Sequence, residues 1–342
     1  MATGIVRDES YLNHDMGPYH VESPARLKAI YEMLDAEPSF ASLVELTPRP
    51  ADEKEIALVH HPAYINQIKA TQGKNRVILD PDTSTCALSY ETTRLAVGGV
   101  IEAVRQVMEA KVANAFALIR PPGHHAEAGR AMGFCFFNNV AIAARWLIKE
   151  YGLKRILIVD WDLHHGNGTQ QAFWKEKEVL YFSTHQFPYY PGTGYWDEVG
   201  GGEGEGYTFN VPLSAGKGDR EFQFIFQEIL APMALRYRPE FILVSAGFDI
   251  YAADPLGGMM VTPEGLAGLA SQVISLARET AGGKLVLALE GGYSLEGLRS
   301  GVREILFQLT GLKPGPQIEA AVSVSFREEL SPAFENLRRY WA

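Results

Sequence analysis

In RILIVDWDLHHGNGTQ, Arg155 to Gln170, a run of strand-forming residues from Ile156 to Val159 leads straight into Asp160, Asp162, His164 and His165. Carboxylates and imidazoles at the buried end of a strand are costly unless something compensates them, and a divalent cation does so. Asp162 and His164 stand two residues apart, so at the end of an extended segment they share a face. Asp249, which closes FILVSAGFD, supplies a third ligand. Three protein ligands leave a coordination position for water and substrate, the pattern of a catalytic rather than a structural metal site. An isolated Asp-x-His would read as a helix cap followed by a packed histidine; Asp249 and the polar residues at the neighbouring strand ends decide against that.

Two further segments add proton chemistry. RPPGHHA sets His124 and His125 behind a proline-stiffened segment,. Adjacent histidines do not comfortably bind one ion, so one or both are expected to handle protons for an activated water. Tyr293, after the glycine pair of LEGGY, is placed to donate a hydrogen bond to a carbonyl oxygen as it gains negative charge,. By contrast, His60 and His61 in VHHPAYINQI read as a helix entry with no catalytic role.

These groups need a frame that brings distant segments to one edge. Past residue 110, apolar runs alternate with amphipathic ones: AFALIR, RILIVDWD, VLYFSTH, EFILVSAGFD and KLVLALEGGY as strands, with helices over NNVAIAARWLIKEY, NGTQQAFWK, REFQFIFQEILAPMALRY and TPEGLAGLASQVISLARET. Runs that do not alternate mean strands covered on both faces, hence βα units feeding a mostly parallel sheet flanked by helices. In such sheets ligands bind beyond the carboxyl ends of the strands, where Asp160, Asp162, His164, His165, Asp249, His124, His125 and Tyr293 all fall,. The first hundred residues read as more helical, with Ser23 capping a helix that has Pro24 at its first position, and a long helix from Leu88 interrupted at Gly98-Gly99,. No linker or repeat divides the 342 residues, and a single catalytic domain over 1–342 is expected,.

A net charge of −10 without a Lys/Arg cluster argues against a nucleic-acid surface,. The two cysteines, Cys86 and Cys135, imply no disulfide framework, and the charged start MATGIVRDESYLNHD is unlike a signal peptide,. No apolar run is long enough to span a bilayer, so the expectation is a cytoplasmic protein without membrane or nucleic-acid partners.

RPPGHHA, MGFCFFNNVA, DWDLHHGNGTQ, YPGTG, SAGFD, ADPLGG and LEGGY, in that order, resemble the zinc-dependent histone deacetylase superfamily, in particular its class II branch and the bacterial histone-deacetylase-like amidohydrolases. The resemblance runs from about Asn13 to Tyr293. It implies the arginase/deacetylase-type three-layer α/β fold, one Zn2+ per chain on Asp162, His164 and Asp249, and Tyr293 as the residue polarising the scissile carbonyl. It further implies His125 as the base for the attacking water, with His124 helping to stabilise charge and Asp160 supporting His124. Asp160, Asp162, His164, Ser183 and Thr184 match a structural K+ or Na+ site. Phe134 and Tyr190, with Gly133 and Leu256, match the walls and rim of an acyl-lysine tunnel, and Arg26 an arginine of the internal channel that holds or releases acetate. Asn167 stands where class I enzymes have an aspartate behind the second histidine, which leaves His125 less basic.

Arginase-like relatives of the same fold bind two manganese ions through Asp-x-His-x-Asp and Asp-x-Asp patterns. Here those slots read Asp162-Leu163-His164-His165-Gly166 and Asp249-Ile250-Tyr251. The second ion has lost its carboxylates, so single-ion amide hydrolysis is favoured. The expected activity is removal of acetyl or other short acyl groups from Nε-acyl-lysine, in a peptide or protein, or from a related acylated amine. The alternatives are an acetylpolyamine amidohydrolase, against which the apolar Leu256 argues, and a non-catalytic acyl-lysine binder. Asp82 is expected near the tunnel mouth, where it could hold a substrate backbone amide; the loop VGGGEGEGY and the segment YLNHDMGPYH are expected to border the tunnel. A homo-oligomer remains open.

Overall fold

The computed structural model describes residues 2–342. Ten strands are present among them: β1 (Thr3–Val6), β2 (Val44–Leu46), β3 (Val77–Asp80), β4 (Thr83–Thr85), β5 (Asn114–Ala117), β6 (Ile156–Asp160), β7 (Val179–Gln186), β8 (Thr208–Leu213), β9 (Phe241–Ala246) and β10 (Leu285–Leu289). Eight form one parallel sheet in the order β2-β1-β5-β10-β9-β6-β7-β8, while β3 and β4 make a separate antiparallel hairpin. The central strands are buried along their whole length, which is why their sequences show no alternation,.

Helices flank this sheet. Ser89–Met108 and Asn139–Tyr151 pack on each other, while Ala25–Ala36, Leu295–Thr310 and Pro263–Thr280 pack in succession as a second group. No helix among the described residues is long and apolar enough to cross a membrane.

Four local expectations are corrected. The first hundred residues also contribute strands, β1 and β2 forming one edge of the main sheet; runs of three and four residues are too short for periodicity to show. Ser23 does not cap through its side chain: its carbonyl accepts the Arg26 N–H, and the helix begins at Ala25 with Pro24 as the capping residue. The segment Asp219–Tyr237 is helical but widens over Phe226–Leu230, where the Ala231 N–H reaches back five residues to Phe226 O. Pro232, next in line, has no N–H to keep the normal register.

The helix Ser89–Met108 is not interrupted at its glycines. Gly98 and Gly99 are there for close approach: a Cβ on Gly98 would overlap the Arg49 carbonyl and stand 2.9 Å from Ala51 N, and one on Gly99 would meet Val6 at 3.1 Å. Replacing Gly98 by Ala is therefore expected to destabilise the protein by about 2–3 kcal/mol. Thermal unfolding checks this; an unchanged midpoint would show that the Arg49–Ala51 backbone shifts freely.

Candidate active site

The sheet register brings the reactive ends of the strands level. Asp160 at the end of β6 pairs with Ser245 of β9 and Ser183 of β7, and Leu289 of β10 pairs with Ala246. The polar residues that follow β5, β10, β9 and β6 thus converge over four adjacent strand ends.

Asp162, His164 and Asp249 meet there, all buried, each offering a ligand atom within 4.8 Å of the others. His164 Nδ1 lies 3.0 Å from Asp249 Oδ2 and 3.3 Å from Asp162 Oδ1. Ligand atoms around a tetrahedral Zn2+ stand about 3.3 Å apart, given bonds of about 2.0–2.1 Å, so the three residues fit such an ion. Backbone donors fix the carboxylates: Leu163 N–H to Asp249 Oδ1, His164 N–H to Asp162 Oδ1 and Gly291 N–H to Asp162 Oδ2. Gly291 must be glycine, because a Cβ there would come within 2.6 Å of Asp162 Oδ2.

Electrostatics favour a cation at this point. Burial and the neighbouring Asp162 push the Asp249 carboxyl up to about 7. Burial alone would hold the His164 ring neutral, but Asp162 and Asp249 outweigh it and raise its pKa to about 9. The cluster is short of positive charge, which a bound dication would supply. Below it, Asp160 accepts the Asp162 N–H and lies 3.1 Å from His124 Nδ1. Thr184 Oγ1 is buried with no hydrogen-bond partner among the described residues, an atom that a monovalent cation would satisfy, whereas Ser183 Oγ is within 2.9 Å of His185 Nδ1.

The two histidines of RPPGHHA differ in state. Burial would lower the pKa of His124, but Asp162 and Asp160 reverse this and raise it to about 10. Burial, with His124 and His164 nearby, lowers His125 well below the ordinary value, so its ring is neutral. His125 Nδ1 lies 2.8 Å from Asn167 Oδ1.

His125, His164 and Tyr293 open into a cavity of about 240 Å3 that is also lined by Phe134, Gly133, Tyr190, Tyr189, Leu256 and Asp82. Its scale suits a single narrow chain rather than a bulky ligand. The Phe134 ring stands edge-on to Tyr293, and the Tyr190 ring edge-on to His125 and His164. Phe134 has φ +68°, a left-handed conformation costly for an aromatic residue,. The hairpin holds it there, with Phe134 N–H donating to Thr83 Oγ1 and Gly133 N–H to Asp82 Oδ1.

Behind Tyr293 lies Arg26, fully buried, with its guanidinium 5.1 Å above the phenol ring. Its N–H groups donate to Gly292 O, Glu290 O and Glu22. Glu22 is in turn paired with Arg120; burial alone would raise its carboxyl, but Arg120, His14 and Arg26 bring it down to about 2.

Several residues given no role at the sequence level complete the site. Tyr189 stacks on His164 and donates its hydroxyl to Leu256 O. Asp254 accepts the N–H groups of Tyr293 and Ser294. Glu290, buried and pushed up to about 7 by burial, accepts the N–H groups of Gly123 and His124, tying the LEGGY turn to the paired histidines. Only the stretch LEGGY itself pointed towards Glu290. His165 faces away from the cavity, towards Thr193 and Gln170. His20, of the N-terminal segment, packs edge-on against Phe134, so that segment does border the tunnel. The loop of VGGGEGEGY instead packs on Trp174 and Tyr340, because its glycines fit against those backbones and rings, and lines no part of this cavity.

Residues 20–309 match the model of the histone deacetylase domain. The chain belongs to the histone deacetylase family. It is 42% identical to a probable deacetylase of Archaeoglobus fulgidus over 87% of this chain and 83% of that one, and 42% identical to histone deacetylase 5 of Arabidopsis thaliana over 86% of this chain and 47% of that protein. The chain therefore spans most of the archaeal relative but about half of the plant one. The crystal structure of the HDA15 HD domain superposes with a TM-score of 0.93 at 36% identity, covering 100% of this chain and 97% of that one. The α/β fold expected from the sequence is thereby shown, and with it a deacetylase of a zinc-dependent family.

Proposed function

We propose that this deacetylase is a zinc-dependent amidohydrolase that removes acetyl or other short acyl groups from Nε-acyl-lysine side chains. The observation that carries this is the convergence of Asp162, His164 and Asp249 with His124, His125 and Tyr293 at the end of an aromatic-walled cavity. Asp162, His164 and Asp249 would hold the ion, which when bound polarises a carbonyl oxygen and makes a water nucleophilic near neutral pH.

This chain's residues do the rest. Phe134 and Tyr190 bind the aliphatic stem of the substrate between their rings and exclude water from it. Asp82, with Oδ1 engaged by Thr83 and Gly133, presents its carboxylate at the mouth to a substrate backbone N–H. His125, neutral, takes the proton of the attacking water, and His124, charged and held by Asp160, stabilises the developing negative charge. The Tyr293 hydroxyl donates to the carbonyl oxygen as that charge develops. A histidine then protonates the leaving amine. Arg26 positions the backbone that carries Tyr293, which supports assigning it, as the resemblance does, to the internal channel that holds or releases acetate. The buried Asp160, with Ser183, the unpartnered Thr184 hydroxyl and the Asp162–His164 turn, is the candidate seat of K+ or Na+.

An acylated polyamine would need acidic groups free to meet its ammoniums; the one carboxylate lining the cavity, Asp82, has Oδ1 engaged by Thr83 and Gly133, and Leu256 at the rim offers none. Metal-loaded protein is therefore expected to turn over an acetyl-lysine peptide with a kcat/KM at least about tenfold above that for acetylputrescine or acetylspermidine, the factor that about 1.4 kcal/mol supplies. Leu256→Glu should narrow that gap. A preference for the acetylpolyamine in the wild type would reverse the substrate assignment, and no hydrolysis of any acyl amine by zinc-loaded protein would leave only a binder.

A further inference from the structure

The hydrogen bonds behind His125 do not stop at Asn167. The Asn167 amide donates from Nδ2 to Glu127 Oε1 at 2.8 Å, while its Oδ1 lies 2.8 Å from His125 Nδ1. A carboxylate accepts and cannot donate, so Glu127 settles which end of the amide faces which way. With Nδ2 turned to Glu127, Oδ1 must face His125, and an amide oxygen accepts only. His125 Nδ1 therefore carries the hydrogen, and Nε2 is left as the basic nitrogen.

Glu127 is itself held. Its carbonyl is 2.9 Å from His60 Nδ1, and His60 Nε2 accepts the Asn138 N–H, so the His60-His61 pair that carries no chemistry of its own anchors this backbone. Burial lowers the His60 pKa to about 4, which keeps the ring neutral and able to accept at Nε2. The carboxylate does not line the tunnel. It faces a separate cavity of about 540 Å3, with Asn167, Gln171, Trp174 and Lys175 in its wall.

We propose that Glu127 is a positioning residue for the reaction: by fixing the Asn167 amide it locks His125 in the tautomer whose free nitrogen is Nε2. The proposal rests on His125 acting as the base. It explains the residue at 167, since an aspartate there would place two carboxylates in hydrogen-bond contact. Without Glu127 the amide keeps only the weak Met132 Sδ acceptor, 3.4 Å from Nδ2, and can turn Nδ2 towards His125, which favours the wrong tautomer,.

The test uses the full chain loaded with zinc, a fluorogenic acetyl-lysine amide, and 15N spectra of histidine-labelled protein with His125 assigned. Glu127→Ala is expected to lower kcat by about tenfold or more with KM within about twofold, since the tunnel walls are untouched. Glu127→Gln keeps a carbonyl oxygen to accept the same N–H and should recover kcat to within about threefold of the wild type. The His125 spectrum should show hydrogen on Nδ1 in the wild type and in E127Q, and lose that single tautomer in E127A. Asn167→Asp combined with E127Q exchanges the amide and the acid and should exceed N167D alone by about tenfold. The proposal is overturned if E127A keeps the wild-type kcat and tautomer, if E127Q is as impaired as E127A, or if the double variant matches N167D. Should the wild type hydrolyse no acyl amine, the functional assignment fails while the 15N spectra still decide whether Glu127 sets the tautomer.

Discussion

Tyr293→Phe is expected to reduce kcat by roughly a hundredfold or more with little change in KM, the loss that follows removal of one oxyanion donor. The expectation follows from what the substitution leaves alone. The ring stays, so its edge-on contact with Phe134 and the Arg26 guanidinium over its face are kept, and its backbone N–H still donates to Asp254. Burial raises the Tyr293 pKa well above the ordinary value, so at neutral pH the hydroxyl holds its proton and is a donor. Only that O–H is lost, and it acts when negative charge builds on the carbonyl oxygen, which is why the effect belongs in kcat. Unchanged thermal stability would confirm that the variant is otherwise intact, and a kcat within twofold of the wild type would remove Tyr293 from the mechanism.

What could be read from the sequence follows the length scale of each signal. The central strands and their order of helices were legible because strands covered on both faces are long apolar runs, and because the groups at their carboxyl ends, Asp160 to His164 and Asp249, have no other reason to follow such runs,. β1 and β2 escaped, being too short to carry a period. The glycine pair in Ser89–Met108 looked like an interruption because composition records only the missing side chain, whereas the Arg49 carbonyl that needs the space lies far away in sequence. The residues that support the reactive groups were missed for the same reason. Asp254 acts on a backbone N–H thirty-nine positions away, and Glu290 on one 167 away; nothing local marks either contact. Glu127, by contrast, stood in plain view beside the paired histidines, and only the orientation of an amide gave it meaning.

Asp249→Asn is expected to abolish hydrolysis, on the order of a thousandfold or more, and to break the link between zinc and stability. In the absence of a cation Asp162 and Asp249 are buried together, and loss of solvation, followed by repulsion from Asp162, raises the Asp249 pKa to about 7. Metal-free wild type carries that penalty; the variant does not. An amide at 249 still accepts the Leu163 N–H through its oxygen, so the turn after β6 keeps its hydrogen bond,. Its Nδ2 then stands where Asp249 Oδ2 meets His164 Nδ1, so the variant loses that charge pair together with the repulsion, and metal-free D249N should lie close in stability to the metal-free wild type,. Zinc separates the two: a ligand that binds only the folded chain at a thousandfold excess over Kd stabilises by about 4 kcal/mol, and the wild type gains this while the variant, with one anionic ligand fewer, gains far less. Melting curves of both proteins with and without added zinc, beside a metal count per chain, measure that separation directly. Equal stabilisation of both by zinc would place the ion elsewhere, and the three residues at the strand ends would then need another partner for their charge.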